Sequence, residues 1–389
     1  MTERAPKLAL LSRRYPPLIG GAERVLGYLA EALAREGADV AVLTSAVAEA
    51  AALAPREEVD YPRSQGGGRL TIHRLKTSPL RFVGTWAYMR NLARWLATNP
   101  VDLAYVSMLK HDAYVAVAAG AERGFPVVLR PEGAGATGDV AWQAKGNFGA
   151  RIARRCKRAD ALVAISPPVR AELVDAGYDE ATIHDLPNGV PIPSRAWQRR
   201  EGWQRSPRAI FVGRLAPEKG LDTLVRAWPI VRETFPEARL TLVGEGPERP
   251  GLDRLARELG LAGPAFAMPG PSADVEDELR GADLFVLPST EEGMSIALME
   301  AMALGVPVVA SAIPGNRRLI ADFKHGRLAP PREPETLART VVEQWSTFDR
   351  AFHMSRAARG RVEQQYSIRT VARRHLNLFR ELIARERSG

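Results

Sequence analysis

Two glutamates with seven residues between them follow a short apolar run in the second half of the chain. Glu292 comes soon after the run DLFVLP, and Glu300 lies about one and a half turns into a predicted helix that begins near Ser295. Helical side chains lean toward the N-terminus, so the Glu300 carboxylate can reach back toward the Glu292 loop. One carboxylate can accept ribose hydroxyl protons, and another beside a sugar ring can favour positive charge at the anomeric carbon. The amides of Gly293, Met294 and Ser295 add an anion site.

A loop with two cations comes earlier in the same half. Arg214 and Lys219 lie in VGRLAPEKG, which follows a predicted strand and precedes a predicted helix, with Gly213 at the strand end. A guanidinium binds phosphate oxygens bidentately and an ammonium acts as a compact charge, so the pair can neutralise a diphosphate without a metal. Solvated surface charge is the alternative for either cation alone, and their shared loop favours the phosphate site.

Paired glycines stand at the start of the first predicted helix. Gly20 and Gly21 lie in YPPLIGGAE, between an apolar run and that helix. Such a pair lets a phosphate approach the backbone, and the helix start supplies free N–H groups. A tight turn that binds nothing explains the pattern equally well. The motif is not GxGxxG, so a dinucleotide cofactor is not supported.

Short apolar runs alternate with amphipathic stretches along the whole chain. In the first half, strands are predicted at 8–12, 40–45, 70–75, 102–107, 127–130 and 161–166, with helices at 22–35, 88–97 and 168–176. In the second half, strands are predicted at 209–212, 240–243, 284–287 and 306–310, with helices at 222–234, 251–259, 295–303, 334–346, 353–365 and 368–385. This alternation is typical of parallel sheets built from βαβ units.

The alternation breaks at residues 191–208, a stretch rich in proline and arginine that predicts an inter-domain linker. We therefore expect a doubly wound domain at 1–190, completed by a C-terminal helix at about 368–389, and a second doubly wound domain at 209–367. Two such domains that face each other imply a ligand cleft at the carboxyl ends of their strands.

The composition narrows the class of protein. The 389 residues are 46% hydrophobic and 25% charged with Cys156 as the one cysteine, which excludes a mainly disordered chain or a disulfide scaffold. No apolar run of about 20 residues predicts a membrane span, and the N-terminus lacks a secretory signal, so a cytoplasmic protein is expected. The net charge of +9 is spread along both halves, and no nucleic acid partner is expected. The six histidines lack metal-ligand spacing, and neither a metal nor another cofactor is expected.

Taken in order, the motifs carry a resemblance that covers essentially the whole chain. YPPLIGGAER, LPNGV, FVGRLAPEKGLDTLVRAW, LVGEGP and PSTEEGMSIALMEAMALGVPVVAS resemble the motifs of retaining nucleotide-sugar glycosyltransferases of family 4. The resemblance implies the GT-B fold, an α/β architecture with two Rossmann-like domains across a cleft. It also implies metal-independent transfer of a hexose from a UDP- or GDP-sugar to a glycan, lipid-linked or small-molecule acceptor, with retained stereochemistry.

The resemblance implies roles for the matching residues. Glu292 would contact the transferred sugar and Glu300 the ribose, while Gly20 and Gly21 would bind the diphosphate or line the acceptor side. The other residues expected at the nucleotide sugar are Arg214 and Lys219 at the diphosphate, Gly213, Gly293, Met294 and Ser295 beside it, and Pro271 at the end of the segment near the base. The acceptor would attack the face from which the diphosphate leaves, and a phosphate oxygen would take its proton.

The chain departs from the family pattern at two positions. Glu132 in the segment Arg130-Pro131-Glu132-Gly133 stands where many relatives carry a sugar-contacting histidine. We expect this carboxylate to take part in catalysis by holding a hydroxyl of the sugar or of the acceptor. Arg318 stands where relatives often carry glutamate.

Two features of the first domain suit an anionic lipid surface. One is the acid-free basic cluster from Lys145 to Arg158, and the other is the stretch 79–96, in which aromatic residues stand among arginines. A basic amphipathic helix can lie on an anionic membrane, so peripheral association with the inner membrane face is one prediction. Buried aromatics with solvated arginines are the alternative.

Two other functions fit the same motifs. One is a different GT-B enzyme, such as an epimerase or a phosphorylase, although no phosphorylase cofactor lysine or phosphate site stands out. The other is a non-catalytic nucleotide-sugar-binding protein. The intact pairs Glu292/Glu300 and Arg214/Lys219 argue against a binding protein, and the missing histidine favours it.

Overall fold

The chain divides into two compact units. The computed structural model describes residues 4–16, 20–46, 53–62, 66–78, 80–135, 138–145, 147–261 and 263–388. One unit holds most of the first 189 residues together with Ile368–Gly389, and the other holds Val190–Ser367 together with Gly20 and Gly21.

The first unit is built on an eight-stranded sheet. Its strands are β1 (Lys7–Leu11), β2 (Asp39–Ser45), β3 (Arg56–Asp60), β4 (Arg69–Leu75), β5 (Leu103–Ser107), β6 (Val127–Arg130), β7 (Ala161–Ala164) and β8 (Ile183–Asp185). They lie in the order β3-β4-β2-β1-β5-β6-β7-β8, and all neighbours are parallel except β3 with β4. The central strands β1 and β5 are almost wholly buried and apolar, as expected for a parallel sheet covered by helices on both faces.

Six helices of this unit connect its strands. They are α1 (Gly21–Arg35), α2 (Arg81–Thr98), α3 (His111–Arg123), α4 (Asp139–Ala144), α5 (Asn147–Cys156) and α6 (Pro167–Asp175). Both α2 and α5 pack on α3. Because α2 and α3 each directly follow a parallel strand, their N-termini lie at the carboxyl edge of the sheet.

The second unit contains a smaller, fully parallel sheet. Its strands are β9 (Arg208–Val212), β10 (Arg239–Val243), β11 (Phe266–Gly270), β12 (Leu284–Leu287), β13 (Val308–Ser311) and β14 (Arg327–Ala329), in the order β11-β10-β9-β12-β13-β14. Its helices are α7 (Leu221–Thr234), α8 (Arg249–Glu258), α9 (Val275–Arg280), α10 (Ile296–Leu304), α11 (Pro314–Leu319), α12 (Pro334–Ser346) and α13 (Phe348–Gln365). The strand order reverses between β9 and β12, and ligands of doubly wound folds bind outside the carboxyl ends of strands at such a point.

The stretch 191–208, predicted to be a linker, packs on the second unit. Trp197 is buried, its indole N–H donates to the carbonyl of Ala282 at 2.8 Å, and its backbone N–H donates to the carbonyl of Leu304 at 2.7 Å. Trp203 is also buried, with its ring centroid 4.5 Å from that of Phe348. Isolated tryptophans carry no periodicity, so the sequence pattern gives no sign of this packing.

The last helix, α14 (Ile368–Ser388), belongs to the first unit. The rings of His375 and Phe379 lie 5.6 and 5.5 Å from the ring of Tyr105 on β5. Arg369 and Arg373 each donate to Glu36 at 2.7 Å, just after α1. These contacts attach the C-terminal helix to the sheet that begins the chain.

The predicted fold class is confirmed, since both units are α/β and built on parallel sheets. Five helices and strands of the first unit were absent from the prediction: β3, β8, α3, α4 and α5. β3 has the charged sequence REEVD at the sheet edge, and α3 has an alanine-rich sequence without a strong polar face. Neither sequence shows the apolar periodicity on which the prediction depended.

Candidate active site

The loops after β9 and β12 meet at the carboxyl edge of the second sheet. β9 and β12 are hydrogen-bonded neighbours, so their carboxyl ends lie side by side. The backbone N–H of Thr290, after β12, donates to the carbonyl of Glu218, after β9, at 2.8 Å. The predicted cation loop and the predicted glutamate loop are therefore bound directly to each other.

Lys219 and Glu292 form an ion pair at this junction. The Lys219 ammonium lies 2.7 Å from Glu292 Oε1, with side chains that are 19% and 8% exposed. The hydroxyl of Ser289 donates to the same carboxylate oxygen at 2.8 Å. The pair brings together two residues that the sequence predicted separately, and Ser289 is a polar partner that the motif reading did not single out.

Two glycines shape the cation loop. Gly220 has φ +58°, and a Cβ there would lie 2.5 Å from the carbonyl oxygen of Pro288. Gly213 has φ +157°, and its Cβ would lie 2.9 Å from the Phe211 ring. Glycine at position 220 therefore lets the turn that carries Lys219 approach the end of β12 closely.

Arg214 is the more exposed of the two predicted cations. Its guanidinium donates to Glu218 Oε1 at 2.7 Å, and its side chain is 63% exposed. Partial burial of Glu218 raises the pKa of that carboxyl, but hydrogen bonds and the charges of Arg214 and Lys219 outweigh it and leave the pKa below its ordinary value. Each predicted cation thus has a carboxylate partner in this structure.

The second predicted glutamate lies on α10. Glu300 is 9% exposed, so it is not an ordinary surface residue of this helix. Ser295 caps the helix by accepting from the Leu298 amide at 3.4 Å, and Met294 is buried just before it. Gly293, Met294 and Ser295 directly precede α10, which begins one residue after the predicted start.

The contacts that support the backbone of Glu292 were not predicted from the sequence. A Cβ on Gly315, in the first turn of α11, would lie 2.2 Å from the carbonyl oxygen of Glu292, so α11 packs directly on this backbone. The Asn316 amide group donates to the carbonyl and hydroxyl oxygens of Ser311 at 3.0 and 3.1 Å, and Ser311 donates to the carbonyl of Ser289. These buried polar contacts fix the loop that carries Glu292.

The remaining predicted residues lie at element ends. Pro271 is exposed and directly follows β11, at the same edge of the sheet as Gly213. Gly20 precedes α1 and Gly21 is its first residue. Residues 17–19 of that motif and residues 136–137 of the glycine-rich run after Glu132 lie outside the described residues.

In the first unit, Glu132 follows β6 and is held by three groups. The guanidinium of the buried Arg130 and the hydroxyl of Ser107 both donate to its Oε1. Its backbone N–H donates to Asp139 Oδ2 at 2.8 Å. Arg130 also donates to the amide oxygen of Asn188. The carboxylate is therefore fixed in orientation, with Oε1 committed to its neighbours.

Neither a metal cluster nor a membrane span is found in the described ranges. No group of three or more histidine, cysteine, aspartate or glutamate side chains in these ranges is arranged to hold a metal ion. No helix within them combines the length and the apolar content needed to cross a bilayer.

Two family models match the chain, one on each unit. The model described as Glycosyltransferase Family 4 matches residues 19–192, and the model described as Glycosyl transferases group 1 matches residues 206–346. The chain belongs to glycosyltransferase family 4. The family resemblance predicted from the motifs is thereby confirmed.

Curated relatives of the family 4 chain match about half of it. It is 31% identical over 217 residues to a GDP-mannose-dependent alpha-(1-6)-phosphatidylinositol monomannoside mannosyltransferase of Mycolicibacterium smegmatis, covering 52% of this chain and 57% of that protein. It is 32% identical over 204 residues to a D-inositol 3-phosphate glycosyltransferase of Thermobispora bispora, covering 50% and 46%. The chain thus spans about half the length of these relatives.

Solved structures match nearly the whole family 4 chain. Sucrose-phosphate synthase from Thermosynechococcus elongatus has a TM-score of 0.80 at 22% identity, covering 97% of this chain and 99% of that one. HepE from Anabaena, in complex with UDP and glucose, has a TM-score of 0.77 at 20% identity, covering 97% and 100%. These likenesses confirm the GT-B fold class predicted for the chain.

Proposed function

We propose that the protein is a retaining glycosyltransferase that moves a hexose from a nucleoside diphosphate sugar to a hydroxyl acceptor without a metal. The observation that carries the proposal is the ion pair of Lys219 and Glu292 beside the start of α10. It sets a cation, a carboxylate and helix-start amides at the carboxyl edge of one parallel sheet. The cation and the amides suit the diphosphate of a nucleotide sugar, and the carboxylate beside them suits the sugar attached to it.

The chemistry assigned to the second unit is a displacement in which attack and departure take place on the same face of the sugar. The acceptor oxygen bonds to the anomeric carbon on the face from which the diphosphate departs, and the bond from that carbon to the phosphate oxygen breaks. The leaving phosphate oxygen takes the acceptor proton. Lys219 and Arg214 neutralise the charge that develops on the diphosphate, and Glu292 holds sugar hydroxyls and favours positive charge at the anomeric carbon.

The nucleotide end of the donor is assigned to neighbouring loops. The Glu300 carboxylate accepts hydrogen bonds from the ribose hydroxyls. Pro271 borders the base, and Gly213 and Gly293 leave room for the diphosphate. Relatives named for GDP-mannose and a GT-B structure bound to UDP and glucose support a UDP- or GDP-hexose as the donor class. Gly20 and Gly21, at the start of α1, are assigned to the diphosphate or the acceptor. In the first unit, Glu132 is assigned to a hydroxyl of the sugar or of the acceptor.

The acceptor side includes an exposed apolar surface that fits peripheral membrane association. Phe82, Val83 and Trp86 at the start of α2 are 85%, 50% and 62% exposed, and Phe148 at the start of α5 is 68% exposed. Neither helix sequence contains an acidic residue, and both contain arginines. Apolar side chains beside arginines suit an anionic bilayer, which fits a lipid-linked acceptor.

Turnover of a donor panel tests the proposal. Wild type and Lys219→Ala are incubated with UDP- and GDP-hexoses with and without acceptors, and with and without EDTA, while nuclear magnetic resonance follows the anomeric signal. We expect a donor to be consumed with retained configuration, unaffected by EDTA, and at least a hundredfold more slowly by Lys219→Ala. Lys324→Ala removes an exposed lysine of the same unit and serves as the matched control.

Five outcomes contradict the proposal in different ways. An inverted product overturns retention, and loss of activity in EDTA overturns metal independence. Nucleotide binding without turnover of any donor identifies a binding protein. Release of a hexose phosphate that requires inorganic phosphate identifies a phosphorylase, and interconversion of the donor sugar identifies an epimerase.

A further inference from the structure

Three basic side chains lie at the carboxyl edge of the first sheet. Arg13 follows β1, and Lys110 and His111 follow β5, which is the hydrogen-bonded neighbour of β1. All three are partly buried. Among the described residues, neither Arg13 nor Lys110 forms a salt bridge: Arg13 donates to Thr85 Oγ1 at 3.0 Å, and the Lys110 ammonium lies 5.5 Å from the ring centroid of Trp142.

The backbone that carries these side chains is fixed on both strands. The carbonyl of Arg13 accepts from the hydroxyl of Ser45 at 2.6 Å. The Leu109 amide donates to the buried Asp139 at 3.1 Å. Met108 adopts φ +74°, a left-handed conformation that is costly for a side chain of this size. Such strain persists only where the surrounding structure imposes it, as at a preorganised binding loop.

The nearby carboxylates already have hydrogen-bond partners of their own. Asp112 is buried, accepts from the hydroxyl of Tyr88 at 3.2 Å and from the backbone amide of Arg13, and burial raises its pKa to about 6. The second carboxylate, Asp139, accepts from two backbone amides, those of Leu109 and Glu132.

The charges of Arg13 and Lys110 both act on the partly buried His111. At His111, burial lowers the pKa, and the charges of Arg13 and Lys110 lower it further. Two cations held this close, partly out of water and without a salt bridge, favour the entry of an anion.

An aromatic surface and a carboxylate flank the basic groups. The Trp142 ring on α4 is partly buried and lies 5.6 Å from the His111 ring. Asp139 binds the amide of Glu132 on one side and the amide of Leu109 on the other, so the loops after β5 and β6 are joined. The partly exposed ring of Trp142 suits contact with the apolar face of a polyhydroxylated ring, and Asp139 fixes the loops beside it.

We infer that the acceptor is a polyol that carries a phosphate ester, and that Arg13, Lys110 and His111 bind this phosphate at the carboxyl ends of β1 and β5. The inference rests on the proposed function, because it specifies the acceptor of that transfer. A free polyol phosphate and a phospholipid headgroup share this chemistry. Thr85, which holds Arg13, lies on α2 beside the exposed Trp86, so the headgroup form would extend toward an apolar surface.

Calorimetric titration with matched ligand pairs tests the inference. The soluble pairs are myo-inositol with its monophosphate and glycerol with glycerol phosphate. The lipid pair is phosphatidylcholine vesicles with and without 20% phosphatidylinositol, a composition chosen for the test. Each is titrated into wild type, Arg13→Gln, Lys110→Gln and Arg123→Gln. Arg123 is exposed at the far end of α3, so its variant matches the charge change away from the proposed site.

We expect the phosphorylated member of at least one pair to bind wild type and Arg123→Gln at least tenfold more tightly than its partner. Lys110→Gln is expected to reduce this preference at least tenfold, and it decides the test if Arg13→Gln fails to fold. Preference confined to the vesicles assigns the headgroup form, and preference for a soluble phosphate assigns the free form. Equal binding within every pair overturns the inference, as does a preference that both variants retain.

The same preparations separate this inference from the proposed function. Donor turnover without any preference for phosphate overturns the phosphate site and leaves the transferase. A preference that depends on Lys110 without turnover of any donor leaves the phosphate site and overturns the transferase.

Discussion

The Lys219 ammonium donates a 2.7 Å hydrogen bond to Glu292 Oε1, joining the loops that follow the neighbouring strands β9 and β12. Both side chains are largely removed from solvent. In the proposed reaction, Lys219 binds the diphosphate and Glu292 binds the sugar. The two groups therefore neutralise each other until the donor arrives. The donor then replaces the contact between Lys219 and Glu292 with a contact from its diphosphate to Lys219 and one from its sugar to Glu292.

A double-mutant cycle on this pair gives the first prediction. Lys219→Met leaves Glu292 partly buried without its cation, which we expect to lower the free energy of unfolding by about 2 kcal/mol. Lys219→Met/Glu292→Gln removes both charges, and we expect it to regain at least half of that loss. Urea unfolding followed by circular dichroism measures both, with Lys324→Met as the control. A double variant less stable than Lys219→Met shows that the pair does not stabilise this junction.

Substitution of Gly220 gives the second prediction. Alanine there must adopt φ +58° with its Cβ 2.5 Å from the Pro288 carbonyl oxygen, so the turn must move away from β12. We expect Gly220→Ala to destabilise the protein by about 3 kcal/mol and to reduce donor turnover with it. Gly360→Ala is the control. This helical glycine has open space at its Cβ, so alanine there should raise the free energy of unfolding by up to about 1 kcal/mol. Equal stabilities of the two variants in thermal unfolding would sink the packing argument.

The sequence predicts the elements of this fold better than it predicts the partners within the sites. Buried strands such as β5 and β12 are continuous apolar runs, and the loops after them carry the recognisable motifs. The position of Glu300 on a helix and of Glu292 before it follows from local pattern alone. The local pattern does not predict which loops lie next to each other, because this depends on the order of strands in the sheet, which is a non-local property.

Two pairings illustrate what the sequence does not reveal. Lys219 and Glu292 are 73 residues apart, and Arg130 and Asn188 are 58 apart, so each pairing depends on the topology of its sheet. The exposure of Trp86 was equally undetermined. It lies two residues before the fully buried Tyr88, and only the packing of α2 on α3 decides which aromatic side chain faces solvent.

The ribose assignment of Glu300 gives the third prediction. A hydrogen bond to a charged group contributes about 1.5–3 kcal/mol, so Glu300→Ala should weaken UDP or GDP binding roughly tenfold to a hundredfold. Pyrophosphate lacks the ribose, and its affinity should change much less. Calorimetric titration compares the two ligands, and a dideoxynucleotide should bind wild type and variant equally. Equal losses for the nucleotide and pyrophosphate would contradict the assignment.

The pH dependence of stability gives the fourth prediction. His375 is fully buried against Tyr105, and burial lowers its pKa to about 4 from an ordinary value of 6.5. The unfolded chain therefore binds a proton more readily, and this residue's contribution is complete above pH 6.5 and is lost as the pH falls toward 4. From pH 7.5 to pH 5, wild type should lose about 2 kcal/mol relative to His375→Gln. Urea unfolding at both values measures this, and parallel losses in the two proteins would refute it.

Vesicle binding by the start of α2 gives the last prediction. Phe82 and Trp86 are 85% and 62% exposed, with Arg90 one turn beyond Trp86 on an acid-free helix. Insertion of each aromatic side chain contributes about 1.5–3 kcal/mol, so Phe82→Ser/Trp86→Ser should lower partition onto anionic vesicles at least tenfold.

Sedimentation with phosphatidylglycerol vesicles measures this effect, and wild-type binding should weaken at high salt because the arginines contribute to it. Val174→Ser removes another exposed apolar side chain of the first unit, on α6, and should leave binding unchanged. If wild type stays in the supernatant at low salt, the membrane surface is refuted. If the double serine variant sediments as wild type does, the surface lies elsewhere than α2, because this variant lacks the two exposed aromatic side chains of the described part of that helix.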